Sequence, residues 1–217
     1  MILLEKGRYR ARLGEGTEDL AAMRALRSHS FGTYHPDGDA HDDLCQHVLI
    51  EDCTGTLLGG FRMLALSGGD QIASSYSARF YDLDGLRGFD GPMVELGRFC
   101  IHPDRPDPDI LRLAWAALTA HVDATGVTLL FGCSSFAGAD PKAHHPALAH
   151  LGARHLAPSR WRPGIKAPEV VRFCDLPTPT WTGGITGLPP LPGLYPLPPP
   201  KLEFGFAQSA VSVPQAQ

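Results

Sequence analysis

The sequence lacks basic runs, paired cysteines and long apolar stretches, and each absence excludes a class of function. Its 19 Lys and Arg against 23 Asp and Glu leave a formal charge of -4. With no cluster of positive charge, a nucleic-acid phosphate backbone is a poor partner. The five cysteines, Cys45, Cys53, Cys100, Cys133 and Cys174, are odd in number and form no CxxC pair, which suits reduced thiols rather than disulfides or zinc. His35, His41, Cys45 and His47 fit no tight metal spacing, so no metal is expected among them. No run approaches membrane-spanning length, and the segment Met1 to Lys6 lacks the charged start, apolar core and cleavage site of a signal peptide. A cytoplasmic chain is the expectation. Cys133-Ser134-Ser135 lacks the flanking glycines of a nucleophile elbow.

What is present suffices for one core. At 217 residues and 43% hydrophobic, the chain can bury one sizeable interior, and length allows one domain or two. Arg8 to Leu13 alternates polar and apolar and predicts a strand. Thr17 is placed to cap a helix from about Glu18 to Ser30, with Leu20, Met23 and Leu26 at helical spacing. Arg27 and Phe31 lie one turn apart near its end. Gly32 to Cys45 is rich in glycine, proline, histidine and aspartate, a loop long enough to have a function, and it holds Asp39, Asp42 and Asp43. Strands are predicted at His47 to Glu51 and Leu57 to Leu66, joined through a turn at Asp52 to Thr56, with Arg62 in the second. Tyr76 to Leu83 fits either a strand or a short helix.

The stretch Met93 to Pro103 combines strand propensity with two opposite charges. Strict alternation would send Glu95 and Arg98 to opposite faces of a sheet. Gly97 offers a bulge, and one extra residue there brings the two side chains to the same side. Two readings stand: a surface ion pair on an edge strand, or a cleft lined by an acid and a guanidinium. Next, Asp107-Pro108-Asp109 is a helix start, with a capping acid, proline in the first turn and a second acid. That helix should run to about Ala124 with Ile110, Leu111, Ala114, Ala117, Leu118 and Val122 buried, and stop at Gly126. Val127 to Cys133 reads as a strand covered on both faces and reached by a helical crossover, hence a parallel pair. A helix over Ala147 to Leu156 and a last strand over Glu169 to Phe173 complete a domain over residues 1–176. His144-His145 lines a pocket or caps that helix. Residues 177–217 hold half of the 20 prolines, a composition that opposes a packed core; this tail is inert or docks a proline-reading partner.

This order of elements resembles the GNAT acyltransferase fold, an α/β (α+β) architecture with a central mixed twisted sheet flanked by helices. Arg27 and Phe31, then Asp39 and Asp42, then Arg62, then Glu95 and Arg98 resemble the polar set of the acyl-homoserine-lactone synthases. Within that group five segments are similar to the L-ornithine N-alpha-acyltransferases that make lyso-ornithine lipid. They are Cys45-Gln46-His47, Tyr76-Ser77-Ala78, Glu95 to Pro103, Leu130 to Phe136 and His155 to Pro158. The resemblance covers about residues 8 to 176. It implies transfer of a 3-hydroxyacyl group from acyl carrier protein to the alpha-amine of ornithine, with no resident cofactor and the acyl donor carried on phosphopantetheine. An acyl-homoserine-lactone synthase using S-adenosylmethionine, and a non-catalytic acyl-binding or partner-recruiting module, are the alternatives. Loose association with the inner membrane surface fits an amphiphilic product.

The resemblance also assigns roles. An amine attacks a thioester only when neutral, so a proton must leave near the cleft, and Glu95 is the candidate base or electrostatic anchor. Amides freed by a bulge among Gly97, Arg98, Phe99 and Cys100 are candidates for the oxyanion. Arg62 or Arg98 can hold the amino acid's carboxylate by a two-point contact. Asp39 and Asp42 suit its side-chain ammonium, or belong to a solvated loop. Arg27 lines the site, or satisfies carbonyls at its helix end; Phe31 and Ser134 complete the set of binding residues. Many GNAT enzymes grip coenzyme A with a glycine-rich turn where this chain has Arg105-Pro106-Asp107-Pro108-Asp109, and two acids at a helix N-terminus repel phosphate. An acidic carrier protein would instead meet basic surface, for which Arg105, Arg112, Arg154, Arg160, Arg162 and Lys166 are candidates.

Overall fold

A computed structural model of the chain describes residues 1–33, 37–134, 144–154 and 156–167. The described residues divide into two compact units, one of residues 1–68 and 90–133, the other of residues 69–89 and the described residues from 134 onward.

The first unit is built on a six-stranded sheet in the order β1-β2-β3-β4-β6-β7. The strands are β1 (Ile2–Lys6), β2 (Tyr9–Leu13), β3 (Gln46–Asp52), β4 (Leu57–Leu66), β6 (Met93–Ile101) and β7 (Leu129–Gly132), and β5 belongs to the other unit. Neighbours are antiparallel from β1 to β6, whereas β6 and β7 run parallel. That change follows from the connection, since a helical crossover returns the chain in the same direction. Helix α1 (Gly16–Phe31) and helix α2 (Pro108–Thr125) complete this unit. The core holds Met23 and Leu26 of α1, Val48, Leu49, Phe61 and Met63 of the sheet, and Ile110, Leu113 and Leu118 of α2.

Several expectations shift by a turn or less. The cap of α1 is Glu15, in extended conformation and with no side-chain bond to the helix, rather than Thr17. The chain turns into the helix at Gly16, whose φ of 75° favours glycine. In α2 the buried stripe is Ile110, Leu113, Ala114, Ala117, Leu118 and Val122, and Leu111 faces outward. At 100° per residue, Leu111 falls off a stripe defined by steps of three and four, and Leu113 takes its place. Asp107 caps α2 through its carboxylate on the Asp109 amide, 2.9 Å, and Gly126 ends it in the left-handed region. The Asp107 carboxylate also accepts from the Tyr9 hydroxyl at 2.7 Å and from Arg8 at 2.6 Å, tying the start of α2 to β2. Strand β1 was not expected, because Ile2-Leu3-Leu4 followed by Glu5-Lys6 shows no alternation.

In the second unit, β5 (Tyr81–Asp82) pairs antiparallel with β8 (Gly164–Ile165), and 3-10 turns span Gly69–Ser74, Ser77–Arg79, Asp84–Leu86 and Ser159–Trp161. The ambiguous stretch Tyr76 to Leu83 therefore contains both a short helix and a short strand. Helix α3 (His145–Arg154) starts two residues earlier than expected. The strand expected at Glu169 to Phe173 and the proline-rich tail lie outside the described residues. Among the described residues, no helix is long and apolar enough to cross a membrane.

Candidate functional site

The largest polar cluster of the first unit forms where α1 ends and the following loop crosses the sheet. Arg24 and Arg27 are three residues apart on α1 and so share a face. Arg27 is fully buried, and so is Asp42, at the start of a 3-10 turn over Asp42–Leu44. Asp42 accepts from both Arg27 terminal nitrogens at 2.8 and 2.7 Å, from Arg24 Nε at 3.0 Å and from Arg62 of β4 at 2.7 Å. Arg62 extends the network to Asp39 with bonds of 2.7 and 3.1 Å. Arg98 of β6 reaches Asp39 at 3.4 Å and Asp37 at 3.3 Å, and Arg27 also donates to the Asp37 carbonyl. Four arginines from three elements thus close on three aspartates of one loop.

Burial alone would raise the pKa of the Asp42 carboxyl, but hydrogen bonds from Arg27, Arg62 and Arg24 outweigh it and hold it well below the ordinary carboxylate range. Asp39 shows the same balance, with Arg62 the main stabilising partner. Burial would lower the Arg62 pKa, and the bonds to Asp39 and Asp42 raise it instead. Asp39 and Asp42 were expected to suit a substrate ammonium or to belong to a solvated loop; in the structure their oxygens face arginines. Arg27 is likewise committed to Asp42, so it neither stands open as a binding group nor caps the helix end. Arg24 and Asp37 were missed by sequence reasoning. The first carries a usable signal, a second arginine one turn before Arg27, and the second sits in the same acidic loop.

The bulge in β6 falls beside Gly97. Gly60 and Arg62 of β4 pair with Cys100 and Gly97, so Phe61 alone faces Arg98 and Phe99 together. The residue that takes the left-handed conformation is Arg98, with φ of 51°, the one non-glycine with positive φ among the described residues. Such a conformation costs a residue with a Cβ about 1–2 kcal/mol. It turns the Arg98 guanidinium toward the carboxylate that also holds Arg62. Glu95 is buried and lies opposite Leu64 of β4, two residues along the same face as the Gly97 and Arg62 pair. The Cys45 thiol lies within the fields of Arg62 and Glu95, and burial pushes it up to about 11. Phe99 is directed to the other face, stacked against Phe61 at 5.4 Å and Trp115 at 5.9 Å. Cys100 is buried opposite Gly60, its thiol also raised to about 11 by burial. Phe31 is exposed at the end of α1, and Ser134 is an exposed residue of the second unit.

Beyond the bulge the sheet opens. Pairing between β6 and β7 ends at Leu96 and Gly132, while β6 continues to Ile101. Gly132 is needed at this last rung, because a Cβ there would sit 2.2 Å from the Leu96 carbonyl oxygen. A second opening, a cavity of about 390 Å³, is lined by Arg24, Gly38, Asp39, Ala40 and Asp43. The basic residues considered for a carrier protein fall into two groups. Arg105 lies 3.6 Å from Asp52 and Arg112 pairs with Asp109 at 2.6 Å in the first unit. In the second, Arg154 ends α3, Arg160 lies over the Trp161 ring, Arg162 donates to the Ala157 carbonyl and Lys166 to that of Ala78.

Residues 21–116 match the Acetyltransferase (GNAT) domain. An L-ornithine N(alpha)-acyltransferase of Rhodobacter capsulatus is 31% identical over 71% of this chain and 67% of its own length. The chain belongs to this family. An L-ornithine N(alpha)-acyltransferase of Agrobacterium fabrum is 29% identical over 78% of this chain, which spans 58% of that relative's length. FeeM, an N-acyl amino acid synthase from uncultured soil microbes, superposes with a TM-score of 0.47 and 16% identity over 67% of this chain and 78% of its own. Every residue of the arginine–aspartate network, and Glu95, lies inside the segment that matches the GNAT acyltransferase domain, as does the bulge that sets Arg98.

Proposed function

We propose that this chain transfers a 3-hydroxyacyl group from acyl carrier protein to the alpha-amine of L-ornithine, giving an N-acyl amino acid. Membership of the acyltransferase family supports the reaction class. The observation that carries the reading is the bulge in β6, which sets Arg98 and the buried Glu95 beside the point where β6 and β7 stop pairing. An extra residue leaves local ladder amides without a strand partner. Donors at that position suit the oxyanion that forms when nitrogen attacks a thioester carbonyl. As the C–N bond forms and the C–S bond breaks, the pantetheine thiolate leaves and takes up a proton. The amine sheds its proton to Glu95, directly or through water.

The cavity beside the network fits the acceptor. Arg24 offers a guanidinium for a carboxylate, and Asp43 offers acidic oxygens for a second amine. The carrier-borne donor is supported by the start of α2, where Asp107 already occupies the helix N-terminus as its own cap and two acids oppose a pyrophosphate. Exposed Arg105 and Arg112 lie on that same side of the chain's first unit. We place the protein in the cytoplasm or at the inner face of the membrane, where an amphiphilic product would partition.

The test is thiol release from 3-hydroxyacyl carrier protein by the purified chain with ornithine, S-adenosylmethionine or no amine, with the product identified by mass. An ornithine-dependent product of N-acyl mass is expected. A product with S-adenosylmethionine would assign the chain to lactone synthesis instead, and silence with every amine would point to an acyl-binding or recruiting role.

A further inference from the structure

His29, His102 and Asp104 converge on the surface of the first unit, outside the network described above. His29 is in the last turn of α1, and His102 and Asp104 follow β6. Each offers one ligand atom, and the three atoms lie within 4.8 Å of one another. His29 Nε2 is 3.4 Å from a carboxylate oxygen of Asp104, and the two imidazoles meet edge to face with centroids 5.1 Å apart. Donors bound to one tetrahedral ion at about 2.0–2.1 Å stand about 3.3 Å apart. One edge of such a tetrahedron is therefore already formed, and the others close by rotation of side chains that are partly or fully exposed. His102 Nδ1 accepts a long bond, 3.3 Å, from the Asp104 amide, and an ion bound at that nitrogen would displace this bond, since the ring nitrogen has a single lone pair.

The backbone that carries these donors is fixed independently of them. The His102 amide donates to the Leu58 carbonyl at 2.8 Å, the Arg105 amide to the His102 carbonyl at 3.1 Å, and Ser30 Oγ to the Ile101 carbonyl at 3.1 Å. We propose that His29, His102 and Asp104 form a binding site for a divalent transition metal of the zinc class, with the remaining position open to solvent. Two imidazoles and one carboxylate select such an ion over magnesium or calcium, which prefer oxygen donors throughout. The site is legible only in the fold, because His29 stands far from the other two ligands in sequence. A bound ion fastens the end of α1, two residues after the buried Arg27, to the chain leaving the bulged strand.

The experiment uses the full chain after chelator treatment. Zinc is titrated by calorimetry, cobalt by visible absorption, and the thermal midpoint is read with and without zinc, for the wild type, His102→Ala, Asp104→Asn and the control His121→Ala. The expected result is one equivalent of zinc, a tetrahedral cobalt spectrum, a midpoint that rises with zinc and falls back with chelator, and no response to magnesium. Affinity drops at least about tenfold in His102→Ala and Asp104→Asn and is unchanged in His121→Ala. The metal-free midpoints of the two ligand variants, close to that of the wild type, show that they fold. Absence of stoichiometric binding, or zinc binding undiminished in both ligand variants, overturns the proposal.

Discussion

The first unit contains two arginine–carboxylate networks built on different plans. In one, Arg10 and Arg12 of β2 hold Glu51 of β3, and Arg12 also grips Asp19 of α1 with two bonds of 2.5 and 2.7 Å. Two bases meet two acids, all carried by regular elements, and Arg10 is partly exposed. In the other, four arginines meet three aspartates supplied by a loop, Arg27 and Asp42 are wholly buried, and one arginine sits in a left-handed conformation. The first fastens one helix to two strands. The second fixes a loop over the face that bears Glu95, at a cost in burial and backbone strain that simple fastening does not require. Strain and buried charge together make the second the candidate site.

The largest effect should come from breaking the second network at its centre. Asp42→Ala takes their shared acceptor from Arg24, Arg27 and Arg62, leaving Arg62 to Asp39 and Arg27 to Asp37, and loss of one partner from a buried ion cluster costs about 3–5 kcal/mol, read by denaturant unfolding. Next comes Glu95→Gln, expected to lower turnover of the carrier-borne thioester by at least about 10²-fold while the fold persists; unchanged turnover in a folded variant would remove Glu95 from the chemistry. Arg98→Ala should separate the two networks by kind, costing activity more than stability, because its contacts to Asp37 and Asp39 are long, at 3.3 and 3.4 Å, and alanine leaves the φ strain as it was.

Smaller effects sharpen the contrast. Glu51→Gln should cost about 1–2 kcal/mol, well short of Asp42→Ala, and leave turnover per folded molecule unchanged. Acid separates the carboxylates further. Asp19 has its pKa lowered to about 2, mainly by the Arg12 hydrogen bond. The stability it supplies is complete above its unfolded value and is lost as pH falls from about 4 to about 2. Asp42, held lower still, keeps its contribution further into acid, so Asp19→Asn should flatten the upper part of the acid-unfolding curve and leave the lower part. Arg10→Ala should cost less, about 0.5–1 kcal/mol, because Arg10 is partly exposed and Arg12 still holds the buried Glu51.

The sequence displayed the scaffold more fully than the site. The Asp-Pro-Asp start and glycine stop of α2, the span of β4 and the parallel β7 are each written in local residues, and the bulge beside Gly97 was legible because two charges needed one face. The residue bearing the unusual φ was not, since glycine is the default for that conformation and Gly97 stands next to Arg98. Asp39 and Asp42 could be named as charged loop residues, but their partners come from α1, β4 and β6. Only the fold decides whether such an acid faces substrate or arginine. Leu111 and Leu113 differ by two positions in an apolar helix, which periodicity alone resolves poorly.

The loop from Asp37 to Leu44 contains a single 3-10 turn, and two of its four anchors sit on strands that are distant in sequence. Arg62 and Arg98 are presented together only after β4 and β6 have zipped. The expected order of assembly is the sheet first and the loop over the face bearing Glu95 last. The same dependence runs in reverse, so local opening of that loop precedes loss of the sheet, and amides of residues 37–44 should exchange with solvent long before those of the central strands.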